Sequence, residues 1–135
     1  SVELIADGVH LVDGTVDMAH NPRAFAVTDA MAAAGMADGA YELGSLPVTV
    51  SGGVARVDSG AIAGGTSTLA EQFARFAARH SLGEAVRFTS TTAADVLGET
   101  ELGRIAVGGH ANLVGLNAQL EPVRVIVGGT EFINS

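Results

Sequence analysis

Two short apolar runs, Val2–Ala6 and Phe25–Thr28, each stop at a polar residue, the first at Asp7-Gly8 and the second at Asp29. This pattern constrains the fold more than any other feature of the chain. A run without polar alternation has no face to give to water, so a strand made from it must be covered on both sides, as in the parallel sheets of α/β proteins. In open α/β sheets and in α/β barrels, ligands gather at the C-terminal ends of such strands. Asp7 and His10 follow the first run and Asp29 follows the second, so three polar groups stand where one site can form.

The remaining segments are read by their local signals. Thr15–Ala19 predicts a short helix that stops near Asn21-Pro22, because a residue before proline is pushed out of the helical region. Ala30–Ala40 is rich in Ala and Gly and reads as a loop or a short helical turn. Pro47–Val50 and Val54–Val57 flank Ser51-Gly52-Gly53, a hairpin signal, and Asp58–Gly65 is a Gly-rich loop. Thr68-x-x-Glu71 has capping-box spacing and opens a helix with Leu69, Phe73, Phe76 and Ala77 on one face. Ser81-x-x-Glu84 opens a second helix carrying Ala85, Val86 and Phe88, and Thr91-Thr92 with Asp95 opens a third that stops at Gly98. Strands return at Leu113–Leu116, Val123–Val127 and, after Gly128-Gly129, Glu131–Ile133. The 135 residues suffice for one domain. They are about half of the roughly 250 that a (β/α)8 barrel needs.

Charge and composition narrow the function. The net charge is −8, and all seven basic residues are Arg. That balance argues against a general nucleic-acid partner, which needs a basic footprint to neutralise phosphates. A single bound phosphate needs only a local arrangement and stays possible. Without Cys there is no disulfide, thiolate zinc site or Cys nucleophile. No apolar run approaches the about 18 residues of a membrane span. With no leader ahead of Ser1, the expectation is a soluble cytoplasmic protein without a membrane partner.

Asp29 is the strongest candidate for chemistry. A carboxylate ending an apolar strand is expected to be partly desolvated, which suits it to general acid–base work. The alternative is a helix N-cap or a loop anchor. His10, two residues after Asp7-Gly8, either donates to a phosphate or hydroxyl, binds a metal, or is a surface loop histidine. His20, His80 and His110 carry weaker signals, and no His-x-His or His-x-x-x-His pair makes a zinc set by spacing. Gly60–Gly65 either lets backbone approach a ligand or is a flexible loop before a helix. Arg56, Arg75 and Arg79 read as solvated charges.

Taken in order, Ile5-Ala6-Asp7-Gly8-Val9-His10, Val27-Thr28-Asp29-Ala30-Met31 with Ala34-Gly35-Met36, Ile62-Ala63-Gly64 before Thr68-Leu69, and the Gly103–Val114 segment resemble the C-terminal part of N-acetylglucosamine-6-phosphate deacetylases, of the amidohydrolase superfamily. The first two segments are fairly specific to that family; the last is common to many amidohydrolases. The resemblance implies an α/β fold: the C-terminal part of a TIM-like (β/α) barrel of the metal-dependent type, plus the C-terminal strands of its small β-sandwich. Residues 1–100 would form the last barrel strands and helices with an inserted hairpin at about 41–57, and residues 101–135 the sandwich strands.

The resemblance also implies roles. Asp29 matches the catalytic Asp. Asp7, Gly8, Val9 and His10 match one segment that contacts the sugar phosphate, and Ile62, Ala63 and Gly64 a second. The implied substrate is a small phosphorylated amino sugar, N-acetylglucosamine 6-phosphate, cleaved to glucosamine 6-phosphate and acetate. A divalent metal, zinc or iron, would polarise the amide. Its main ligands in the family, a Glu and two His on earlier strands, have no counterpart here; of this chain only Asp29 would reach it. The chain therefore reads as a fragment that does not hold the metal alone and is inactive by itself. Its open strand edges predict a homo-oligomer. The alternatives are an inactive sugar-phosphate-binding or structural remnant, and an amidohydrolase with a different substrate.

Overall fold

The computed structural model describes residues 1–132, so Ile133, at the end of the last expected strand, lies outside the described residues. Strands β1 (Val2–Leu4) and β2 (Ala24–Ala26) pair in parallel, with helix α1 (Asp13–Ala19) in the crossover between them. This is the α/β unit expected from the two apolar runs. Helix α1 starts two residues earlier than expected and ends where His20 turns extended, ahead of Asn21-Pro22. All three residues of β2 are buried, whereas β1 is buried only at Leu4, and Val2 is exposed.

Small strand residues leave room for rings. Ala6, Ala24 and Ala26 line one core with Leu4, Val16, Ala85, Phe76 and Phe88. The last two rings stack with their centres 4.4 Å apart. Phe76 comes from α2 (Leu69–Ala77) and Ala85 from α3 (Leu82–Val86). Both helices open with complete capping boxes, Thr68 with Glu71 and Ser81 with Glu84. The face expected for α2 needs one correction. Phe73, Phe76 and Ala77 meet the core, but Leu69, at the first helical position, is exposed, and Gln72 is buried in the stripe instead.

The separate third helix is also corrected. After α3 the chain continues through a π-helical turn (Arg87–Thr91) directly into α4 (Thr92–Leu97), which stops at left-handed Gly98. Thr91 is itself helical and caps nothing, because its hydroxyl donates to the Gly103 carbonyl at 2.6 Å.

A second core forms around an antiparallel meander of β3 (Gly39–Leu43), β4 (Leu46–Ser51) and β5 (Val54–Val57). The sequence suggested a hairpin of Pro47–Val50 and Val54–Val57, within an insertion at about 41–57, and a loop or short helical turn over Ala30–Ala40, with no strand ahead of β4. The strand it missed, β3, is exposed at every residue but the half-buried Tyr41, so it carries almost no apolar alternation. In β4 the alternation is clear: Val48 and Val50 pack with Met31, Ala33 and Ala55. A third sheet, β6 (Leu113–Leu116), β7 (Pro122–Val127) and β8 (Thr130–Phe132), contributes to neither core and leaves Val114, Val123, Val127 and Phe132 exposed. Among the described residues, no helix is long and apolar enough to cross a membrane.

Candidate active site

The turn after β1 is built around one carboxylate. Asp7 Oδ1 accepts hydrogen bonds from the backbone N–H groups of Val9 and His10, both at 2.8 Å. Its Oδ2 accepts from His10 Nδ1, also at 2.8 Å. Such a side-chain turn organises the backbone that follows it. Gly8 is left-handed, with φ 79, and a Cβ there would run into the Arg75 guanidinium. Arg75 is in turn held by Asp13, at 2.7 Å and 3.1 Å.

Burial pushes the Asp7 carboxyl pKa up. The His10 ring, the two backbone donors and the histidine's charge outweigh that and hold it below the ordinary carboxylate value. Asp7 is therefore an ionised acceptor at neutral pH, and it fixes His10 with a proton on Nδ1. The other ring nitrogen, Nε2, faces Asp29 at 3.7 Å from Oδ2. A charged His10 donates through Nε2 to an anion or a hydroxyl; a neutral one accepts there.

Asp29 differs in every respect. Its side chain is 59% exposed, so the desolvation expected of it is not found. Nor does it cap a helix, since β2 is followed by a bridge and turns. Its backbone is left-handed, with φ 48, which non-glycine residues adopt only when their surroundings impose it. Here the imposing element is the loop before α2. Gly65 N–H donates to the Asp29 carbonyl at 2.7 Å, and the Gly65 carbonyl accepts from Met31 N–H at 3.0 Å. The approach is so close that a Cβ on Gly65 would overlap the Thr28 carbonyl.

The Gly-rich loop is thus hydrogen-bonded in place, and its end at Gly65 clamps Asp29. Ile62 bridges Arg56, Ala63 N–H donates to Ala55 at 3.0 Å, and Gly64 passes against the Asp29 carbonyl and Met31. The structure therefore brings Asp7, Gly8, His10 and Asp29 to one end of the β1–β2 pair, sets Gly64 against Asp29, and lays Ile62 and Ala63 along β5. Val9 is exposed and borders a cleft of ≈ 440 Å³ with Asp7, Met36, Glu71 and Arg75; His10 and Asp29 lie outside that cleft.

Among the described residues, no group of three or more His, Asp or Glu side chains is arranged so that it could hold a metal ion. His10 and Asp29 are two donors, not a ligand set, so these residues do not by themselves fit the divalent metal implied by the resemblance.

The other candidates fall elsewhere. His20 packs edge-on to Phe76 and Phe88, His80 lies 2.9 Å from Asp17, and His110 is 3.2 Å from Glu101. Arg75 and Arg79 are surface charges with partners that the sequence did not show: both pair with Asp13, and Arg79 also with Asp17. Arg56 donates to the Gly60 carbonyl at 2.6 Å.

No protein-family model matches the chain. It is similar to the N-acetylglucosamine-6-phosphate deacetylase of Vibrio furnissii, 36% identical over an alignment of 135 positions that covers 95% of this chain and 34% of that protein. It thus spans about a third of that relative's length. A proposed N-acetylgalactosamine-6-phosphate deacetylase of Escherichia coli K12 is 33% identical over 134 residues, covering 95% of this chain and 80% of its own. Among solved structures, a Mycobacterium smegmatis N-acetyl-D-glucosamine-6-phosphate deacetylase, an Asp-to-Ala mutant in complex with N-acetyl-D-glucosamine 6-phosphate, superimposes with TM-score 0.85. It is 36% identical and covers 99% of this chain and 38% of that one.

Proposed function

The chain belongs to the N-acetylglucosamine-6-phosphate deacetylase family, and on that premise we propose that it serves hydrolysis of the acetamide of N-acetylglucosamine 6-phosphate. The products are glucosamine 6-phosphate and acetate, within cytoplasmic amino-sugar catabolism. The observation that carries this reading is the convergence of Asp7, His10 and Asp29 at the ends of two paired parallel strands.

The exposed Asp29 carboxylate takes the proton from a water as the water oxygen bonds to the amide carbon. When the C–N bond breaks, Asp29 returns that proton to the leaving nitrogen. His10, oriented by Asp7, contacts the sugar phosphate through Nε2. Gly64 and Gly65 hold Asp29 in place, and Ile62, Ala63 and Gly64 border the sugar. The metal implied by the family would lower the pKa of the attacking water. The described residues lack its ligand set, so no step above passes through it, and the chain supplies the acid–base and sugar-contacting part of the site.

In architectural terms, β1, β2 and the helices up to residue 100 correspond on this reading to the end of a TIM-like barrel, and β6–β8 to sandwich strands. The test is Asp29→Asn in a complete enzyme carrying this segment. It keeps the side chain's shape and removes the proton acceptor. The expected result is a kcat at least ~100-fold lower with KM little changed. A near-normal kcat would reduce Asp29 to a structural residue.

A further inference from the structure

One buried polar side chain is not used by the chemistry above. Gln72 is 1% exposed on the core face of α2, where its neighbours in the stripe, Phe73, Phe76 and Ala77, are all apolar. Its Oε1 accepts from Ala6 N–H at 3.1 Å, and its Nε2 donates to Ser67 Oγ at 3.1 Å. The amide's orientation is forced, because a backbone N–H can only donate and must face the oxygen.

We propose that Gln72 is a positioning residue that sets the reach of His10 toward Asp29 by tying the backbone before Asp7 to the loop that clamps Asp29.

The two anchor points bracket the site. Ala6 is the residue before Asp7, whose carboxylate holds His10. Ser67 lies two residues after Gly65, whose N–H holds the Asp29 carbonyl. The intervening Thr66 is itself fixed, its carbonyl accepting from Gly35 N–H at 3.0 Å and its hydroxyl donating to the Gly53 carbonyl. The loop at Ser67 is thus a firm post, and Gln72 is the strut from it to β1. An apolar side chain of the same size would satisfy the core equally well. It would leave the Ala6 N–H buried without a partner and the two halves of the site joined only through the strand pairing. A buried amide in an apolar stripe persists where both of its ends meet groups that need it.

The proposal rests on the site assignment above, but its readout is the state of Asp7, which needs no turnover. It can therefore fail while the deacetylase reading stands, and the reverse. In the full 135-residue chain, Ala6 amide exchange and the Asp7 carboxyl titration are followed by NMR in Gln72→Leu, Ser67→Ala and Phe76→Leu. Gln72→Leu is expected to speed Ala6 exchange at least ~10-fold. It should also move the Asp7 titration upward toward the ordinary carboxylate value, as the turn that stabilises its charge loosens. Ser67→Ala, which cuts only the far end of the strut, should move Asp7 the same way by less. Phe76→Leu weakens the same helix face without touching the strut and should leave the Asp7 titration where it was.

An Asp7 titration unmoved in Gln72→Leu, or moved as far by Phe76→Leu, overturns the proposal. If Gln72→Leu does not fold, Ser67→Ala decides alone: a shifted Asp7 supports the strut and an unshifted one refutes it.

Discussion

Replacing Gly65 by Ala adds a single methyl group at the tightest point of the site. The added Cβ would overlap the Thr28 carbonyl and press on the Asp29 carbonyl at 3.3 Å. The chain has two ways to respond. It can keep the contact and distort, and insertion of a methyl into a packed position costs about 1–3 kcal/mol. Or it can move the loop away and lose the Gly65-to-Asp29 and Met31-to-Gly65 hydrogen bonds, each worth about 0.5–1.5 kcal/mol. Either route leads to a loss of about 2 kcal/mol. The same chemical change at Gly14, in α1, meets nothing within 4 Å. There the only consequence is a less flexible unfolded chain, so Gly14→Ala should stabilise by about 0.4–1 kcal/mol. Urea unfolding of both variants, compared by midpoint at unchanged slope, measures the two values. A Gly65→Ala variant as stable as the parent, or a pair that shifts in the same direction, would refute the idea that this loop clamps Asp29 by close backbone contact.

Further outcomes follow from the same geometry. In a complete enzyme carrying this segment, His10→Ala should raise KM for the phosphorylated sugar far more than for unphosphorylated N-acetylglucosamine; equal effects on both would mean that His10 does not read the phosphate. Burial and the nearby His80 charge, only partly offset by Glu84 and Asp17, lower the His20 pKa below 6.5. The unfolded chain then binds the proton more readily than the folded one, so stability is full above about pH 6.5 and declines as the pH falls below it. His20→Phe should flatten that decline in a melting-temperature series, and an unchanged slope would assign it elsewhere. The exposed Val2 on β1 and the exposed Val114, Val123, Val127 and Phe132 on the third sheet predict a homo-oligomer at micromolar concentration, and a monomeric mass by light scattering with cooperative melting would contradict it.

What was legible in the sequence was local. The capping boxes at Thr68 and Ser81 need only residues three apart, and both formed as read. The placing of Asp7 and His10 directly after the first strand was legible, but their hydrogen bond was found only in the structure. What failed to show depended on residues far along the chain. Strand β3 exists because β4 offers it a ladder, not because Gly39–Leu43 carries a strand pattern. The Arg75 and Arg79 pairs join α2 and the residues just after it to α1 across 62 residues. Gln72 had one visible sign: it lies three residues after Leu69 and four before Phe76, so a polar residue interrupts the apolar stripe of α2. A glutamine in such a place is either an error of phase or a buried amide with work for both ends. Leu69, placed on that stripe and found exposed, shows why the phase alone could not decide.

The strand register explains why two carboxylates so far apart in sequence meet, and why they differ. Leu4 pairs with Ala26, and Asp7 and Asp29 each lie three residues beyond that pair. Parallel strands of equal onward length therefore deliver both acids to the same level, and a slip of one residue would turn every side chain of one strand to the opposite face. From that common level their surroundings diverge. Asp7 turns inward, where three donors keep it ionised and committed to orienting His10. Asp29 is turned outward by its left-handed backbone, with a side chain free of such donors and open to water. One carboxylate is committed to holding the sugar-contacting histidine in place and the other is free to exchange a proton, so their surroundings give two like acids different roles.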